Sequence, residues 1–389
     1  MVMNMRMLKV AFIDDGINEN DISYKRGHKF FHYIVKEDSV IESNDKIVNS
    51  ESHGTLCASV FVKYAPDCNI YDINISPNEK DSINVRNVNI ALQWCVGNDI
   101  HLISMSLGIL SMIDISELRN IIDTINLKGI ILVASCSNTN KVTYPASLDN
   151  VLGVRYDSQY SLKNGEYYFF NSAFDGIDIT TSLPVDHPLQ YLENQNIKMT
   201  NSFAVPYIAS RVCHYLMQGM DMIEIRKELI KRSKHIDCRG YYEFLKEIIP
   251  KSCETLMNDI PIIGIVVNRK LKDSIQHDLK ELFREEGYLC ALLDDKNDIS
   301  KIEFSREWEN QYNISTDEMI SLIINSNIID VLLVVITVEE FEKYIEKKLF
   351  DMYLVPHQLS MSNDSKIIDY TATYDVKVIF SKIIKMFDW

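Results

Sequence analysis

Three short segments carry residue types that could do chemistry together. VAFIDDGI (10–17) ends an apolar run in Asp14, followed by Asp15 and a glycine turn. SHGTLCAS (52–59) opens a helix-like stretch with His53. TNSFAVPYIAS (200–210) places Ser202 at a helix start, with Pro206 in the first turns. A serine hydroxyl is a weak nucleophile at neutral pH and needs an adjacent base. A histidine can be that base, and a carboxylate fixes its tautomer and steadies the imidazolium. A serine at a helix N-terminus also meets the positive end of the dipole, which favours developing negative charge. Singly, Asp14 reads as a strand-end cap, His53 as a structural histidine and Ser202 as a helix N-cap. Only the combination points to nucleophilic catalysis.

The elements that must position these residues alternate between strand-like and helix-like. Strands are expected over 8–14, 69–75, 101–107 and 129–135, and helices near 86–97 and over 115–128. In the last of these, Ile115, Leu118, Ile121, Ile122 and Ile125 form one apolar face, Asp114 with Glu117 gives a capping-box-like start, and Gly129 a stop. Helices around 202–218 and 222–234 close the region. Such alternation predicts an α/β fold with a parallel sheet covered on both faces.

The three segments resemble those of the subtilase family of serine peptidases. VAFIDDGI resembles that family's strand ending in Asp-(Thr/Ser)-Gly, SHGTLCAS its His-Gly-Thr helix start, and TNSFAVP its Gly-Thr-Ser-Met-Ala-x-Pro motif. The chain order Asp, His, Ser is that of subtilisin. The resemblance implies a catalytic triad of Asp14, His53 and Ser202. It continues through ISMSLG (103–108), which resembles the cleft-lining strand and implies substrate binding by Ser106, Leu107 and Gly108. LVASCSN (132–138) resembles the segment ending in the oxyanion asparagine, here Asn138. YPASLDNVLGV (144–154) resembles the next strand and FFNSAFDGIDI (169–179) the Phe-Ser-x-x-Gly segment. The resemblance covers residues 8–234 and implies a subtilisin-like three-layer parallel-sheet domain.

Four residues depart from the family pattern. Asp15 replaces a Thr or Ser, Ser137 stands where Gly precedes the oxyanion Asn, and Thr200 and Asn201 replace Gly-Thr before the serine. If that glycine position needs a positive φ, Thr200 is strained. The short stretch between His53 and residue 69 leaves no room for the calcium loop that secreted family members carry about there. No metal and no cofactor is therefore expected. Few residues precede the first strand, so a cleavable prodomain of the secreted type is not expected in this chain.

Composition bounds the partners. The net charge of −15 disfavours nucleic acid and anionic membrane surfaces, because phosphate neutralisation needs clustered Lys and Arg. The longest apolar run, 328–338, is interrupted by Asp330 and is far below the ~20 residues of a membrane span. Eight scattered cysteines without a CxxC pair read as free thiols in a reducing compartment, and a cytoplasmic protein is expected.

At 389 residues the chain is expected to hold two domains: a peptidase domain over 1–237, a helical linker over 238–259 and a smaller Rossmann-like α/β domain over 260–389. In the last, GIVVNRKL (264–271) has phosphate-loop spacing with Gly264 first and Lys270 in the lysine place. Arg269 and Leu271 replace the second Gly and the metal-binding hydroxyl, so the loop is degenerate and reads as an ordinary βα turn. EEGYLCALL and DVLLVVIT resemble the nucleotide-fold domain of peptide-maturation proteins found with radical-SAM peptide-modifying enzymes. The expected partner is a peptide or precursor-peptide substrate, with a peptide-modifying enzyme or second peptidase chain as a further candidate. The expected activity is intracellular serine endopeptidase cleavage of a leader peptide. The alternative is a catalytically weak or inactive peptide-binding scaffold.

Overall fold

The computed structural model describes residues 7–25, 27–43, 52–76, 84–110, 116–170, 173, 175–194, 198–249, 260–267, 275–294, 304–305, 311–347, 349–357, 366–371 and 374–387. The chain divides into two compact units, Met1–Asp237 and Cys238–Trp389.

In the first unit the described residues form a nine-stranded sheet in the order β3-β2-β4-β1-β5-β6-β7-β9-β8. Its strands are β1 (Lys9–Asp14), β2 (Lys29–Lys36), β3 (Ser39–Glu42), β4 (Asn69–Asn74), β5 (Leu102–Met105), β6 (Ile131–Ser135), β7 (Leu152–Tyr156), β8 (Tyr167–Phe169) and β9 (Ile179–Thr181). All neighbours run parallel except the β2–β3 and β8–β9 pairs at the edges. The helices are α1 (His53–Tyr64), α2 (Val85–Gly97), α3 (Ser116–Leu127), the short α4 (Gln190–Asn194), α5 (Asn201–Met217) and α6 (Met222–Arg232).

Central strands are buried on both faces, so they read as continuous apolar runs. The pleat still sorts their side chains. Val10 and Phe12 of β1 join Cys57, Phe61, Val205, Ile208 and Val212 of α1 and α5 in one core. Asp14, two residues on from Phe12, therefore sits on the α1 side at the strand's C-terminal end. Leu118, Ile121, Ile122 and Ile125 of α3 are buried as expected, whereas Asp114 lies outside the described residues.

Strands β2, β3, β8 and β9 were not expected. They are short or at the sheet edge, and β2 (KFFHYIVK) carries charges and a histidine among its aromatics.

In the second unit the described residues form a six-stranded sheet whose neighbours are all parallel: β10 (Ile262–Val266), β11 (Cys290–Asp294), β12 (Phe304–Ser305), β13 (Val331–Ile336), β14 (Met352–Pro356) and β15 (Ile367–Tyr370), in the order β12-β11-β13-β10-β14-β15. Its helices are α7 (Cys238–Ile248), α8 (Ile275–Glu285), α9 (Thr316–Ser326), α10 (Val338–Lys347) and α11 (Val376–Met386). Ile275, Leu279 and Phe283 of α8 and Ile379 and Ile383 of α11 cover one face.

Residues 238–248 of the expected linker form α7, which buries Tyr241, Tyr242 and Leu245 and donates from Tyr242 Oη to Glu318 at 3.1 Å. Its apolar face is a packed face. Gly264 lies inside β10, paired in register with Val334 and Tyr353. A Cβ there would meet Tyr353, Ile336 and Phe350 side chains at 3.1–3.3 Å. Close packing therefore accounts for this glycine, and Arg269, Lys270 and Leu271 lie outside the described residues.

Among the described residues no helix is long and apolar enough to cross a membrane.

Candidate active site

Asp14 ends β1 with its side chain almost fully buried, and its Oδ1 lies 2.8 Å from His53 Nδ1. A carboxylate can only accept, so in the neutral ring Nδ1 carries the proton and Nε2 keeps its lone pair. The same Oδ1 accepts from the Asp15 backbone N–H at 2.9 Å.

His53 is the first residue of α1, and three devices hold that helix start. Ser52 is the N-cap: its Oγ accepts from Thr55 N at 3.2 Å and donates to Gly16 O at 2.8 Å. Asp15 accepts from the His53 and Gly54 backbone N–H groups at 3.0 and 2.7 Å, where a carboxylate also meets the helix dipole. Gly54 lets the helix approach the turn, since a Cβ there would meet Gly16 O at 2.6 Å. Burial, then the neighbouring Asp14, pushes the Asp15 carboxyl up, while the two backbone donors pull it back.

Ser202 is the second residue of α5 and is buried. Pro206, four residues on, has no N–H to give to the Ser202 carbonyl. That carbonyl instead receives the Cys57 thiol at 3.8 Å, from one turn beyond His53 on α1. Cys57 Sγ also lies 3.9 Å from each ring nitrogen of His53. Phe203 packs against the histidine, with ring centroids 5.5 Å apart.

His53 is pushed up to about 12, first by Cys57 as a thiolate and then by Asp14, with burial opposing. The Cys57 thiol is itself pushed up by burial and is neutral at ordinary pH. Near neutrality, with Cys57 a neutral thiol, Asp14 raises His53 through its charge and its hydrogen bond, and burial opposes it.

Asn138 follows β6, and its Oδ1 accepts from the Asn201 backbone N–H at 3.1 Å. Asp14, His53, Ser202, Asn138, Ser106, Leu107 and Gly108 all line one cavity of about 380 Å³. All seven residues expected to act or to bind substrate thus come together. Asp14, His53 and Cys57 bring ligand atoms within 4.8 Å of one another. A cation held there would have to displace the His53–Asp14 hydrogen bond.

The sequence model of the subtilase family matches residues 6–217. The chain belongs to the subtilase family. It is 28% identical over 215 residues to a thermostable alkaline protease of Halalkalibacterium halodurans, a match that covers 52% of this chain and 54% of that protein. The chain thus spans about half the length of this curated relative. Among solved structures it is similar to Sphericase (TM-score 0.43, 15% identity, 61% of this chain and 88% of that one). It is also similar to the prenylagaramide maturation protease PagA (TM-score 0.38, 17% identity, 57% and 80%). A third is the epidermin leader peptide processing serine protease of Staphylococcus aureus (TM-score 0.41, 15% identity, 58% and 68%).

The departures from the subtilase pattern fall into place. Thr200 has φ −114° and ψ 162°, extended backbone without strain. Ser137 closes a turn, its Oγ accepting from Lys141 N at 3.0 Å, and the left-handed residue of that turn is Asn140 at φ 54°. Of the 169–179 segment, residues 171, 172 and 174 lie outside the described residues.

Sequence reasoning missed Cys57 and the bonding of Asp15 and Asn201. Nor did it give the partner of His32, whose Nδ1 lies 2.9 Å from Asp72 Oδ2, the atom that also accepts from Ile17 N beside the Asp14 turn. No motif spacing announces such bonds, because each joins segments remote in sequence.

Proposed function

We propose that this subtilase is a serine endopeptidase with Asp14, His53 and Ser202 as its triad and Asn138 as its oxyanion donor. One observation carries the reading: the Asp14–His53 hydrogen bond takes the Nδ1 proton and leaves Nε2 unprotonated, and His53 and Ser202 line one cavity. Ser202 Oγ attacks the peptide carbonyl while His53 Nε2 takes its proton, and the proton then passes to the leaving amine as the C–N bond breaks. The Asn138 amide and the Ser202 N–H receive the oxyanion. Residues 106–108 lie along the substrate.

The finer reading is that the substrate is a ribosomally made precursor peptide whose leader is removed. The second unit supports it, because a cleft alone needs no separate α/β core. A docking module raises effective concentration without subsite contacts, and a peptide-modifying enzyme is a second candidate for that docking. A cytoplasmic setting fits the free cysteines among the described residues, five of them buried.

The test incubates the full chain with candidate precursor peptides and reads the products by mass spectrometry. A single cut that disappears with Ser202→Ala is expected. Precursors left intact by a chain that cleaves casein at many sites would reject the leader reading alone. A chain that reacts with no fluorophosphonate probe would reject the catalytic one.

A further inference from the structure

The residue before the nucleophile is bonded more heavily than its place in the motif requires. Asn201 is buried at 6% exposure. Its backbone N–H donates to Asn138 Oδ1 at 3.1 Å. Its side-chain Nδ2 donates to Ser137 O at 2.6 Å and to Asn140 Oδ1 at 3.0 Å. Its Oδ1 accepts from Tyr156 N, at the end of β7, at 2.9 Å.

These four bonds have a geometric consequence. A backbone N–H can only donate, so the end of the Asn138 carboxamide facing Asn201 must be the oxygen. The NH₂ end is then the one left for the cavity that Ser202 lines. The Asn201 side chain meanwhile ties the 137–140 turn to β7, so the loop carrying Asn138 is fixed from both sides. A carboxamide with two donors and one acceptor can make these three side-chain bonds at once; a threonine hydroxyl has one donor and cannot.

We propose that Asn201 is a positioning residue for the oxyanion donor, setting the orientation and depth of the Asn138 amide through the 137–140 turn. The proposal rests on the serine-peptidase reading above. It explains how this chain works with Thr200-Asn201 where the family pattern has Gly-Thr: the larger side chain takes over the bracing of the oxyanion loop.

A double-mutant cycle on the full chain tests it, with a fluorophosphonate probe as reagent. Ser202 Oγ bonds to phosphorus, fluoride leaves, and the phosphoryl oxygen stands where the oxyanion would. Asn138→Ala is expected to slow the labelling step by about 10²–10³-fold. Asn201→Ala is expected to slow it by about ten- to a hundredfold, since a misplacement near 1 Å can cost that much. The loss should fall on the rate of the labelling step and leave probe binding unchanged. In the Asn138→Ala background, Asn201→Ala should add less than about twofold, because residues acting through one another are not additive. Equal slowing in both backgrounds, or loss in binding alone, overturns the proposal. Should Asn201→Ala fail to fold, Asn140→Gly replaces it in the cycle: glycine keeps the left-handed turn and takes away the Oδ1 that accepts from Asn201. Labelling that persists in Ser202→Ala, or that is unchanged in Asn138→Ala, overturns the catalytic reading itself and is told apart by those single mutants.

Discussion

Both sheets end a parallel strand in a carboxylate that meets a histidine. In the first unit Asp14 closes β1 and meets His53 Nδ1 at 2.8 Å. In the second, Asp294 closes β11, with His277 Nε2 at 3.2 Å and Gln276 Nε2 at 3.4 Å. The two pairs share the C-terminal edge of a strand and a nearby helix, the usual place for function in open α/β sheets. They differ in what converges on them. His53 is held by its own backbone through Asp15, flanked by Cys57 and Phe203, and shares its cavity with Ser202 and Asn138. His277 lies on α8, bonded through its Nε2, the nitrogen a base of the His53 kind must keep free. A strand-end pair becomes a site only when distant segments bring it a nucleophile and a donor, and orient the base so that one nitrogen stays available.

The comparison breaks most sharply at the carboxylates. Asp14→Asn should lower fluorophosphonate labelling by about 10³–10⁴-fold, because an amide can donate to Nδ1 and move the ring proton to Nε2, where the base is needed. A loss under tenfold would show that Asp14 does not set the tautomer.

The next effect is in pH. Near neutrality Asp14 raises His53 through its charge and its hydrogen bond, against burial. In the proposed mechanism the neutral ring is the base, so activity grows as pH rises through the folded value. The acid limb of the labelling rate should therefore lie above about pH 6.5. A midpoint below that would mean that burial outweighs Asp14.

Much of this was legible in the sequence, and the boundary has a physical cause. Asp14, His53, Ser202 and Asn138 each sit where a strand ends or a helix begins, and such junctions leave local signals: an apolar run, a turn glycine, a cap. The two series of alternating βα segments were legible for the same reason. Hydrogen bonds that cross between segments leave none. Asn201 reads as an oddity in a motif until the 137–140 turn is beside it, and Cys57 reads as an ordinary buried thiol. The edge strand β2 escaped because its side chains serve the adjacent strand β4: Phe31 stacks on Tyr71, and His32 meets Asp72.

That last pair gives a smaller prediction, on stability. Asp72 is buried and pushed up by burial, and His32 is its side-chain partner. His32→Ala should destabilise the first unit by about 1–3 kcal/mol, the cost of leaving a buried polar group short of a partner. The hydrogen bond to Asp72, the largest influence, raises His32. A raised histidine contributes fully at and below its unfolded value near 6.5 and loses that contribution as pH rises through the folded value. The difference in melting midpoint between wild type and variant should thus be largest near pH 6 and shrink toward pH 9. A difference that grows with pH would assign the pairing to some other group.

The smallest expected effect is the mirror of the largest. Asp294→Asn makes in the second unit the same substitution as Asp14→Asn in the first. Asp294 is buried, and His277 and Gln276 keep hydrogen-bonding partners if its carboxylate becomes a carboxamide that rotates to present oxygen. An ion pair with a partly exposed histidine contributes little. Labelling of Ser202 should therefore stay within about twofold of wild type, and the melting transition should move by no more than a few degrees. A large loss of labelling without unfolding would mean that the second unit governs the first through this pair. The lesson drawn from the two strand ends would then have to be reversed.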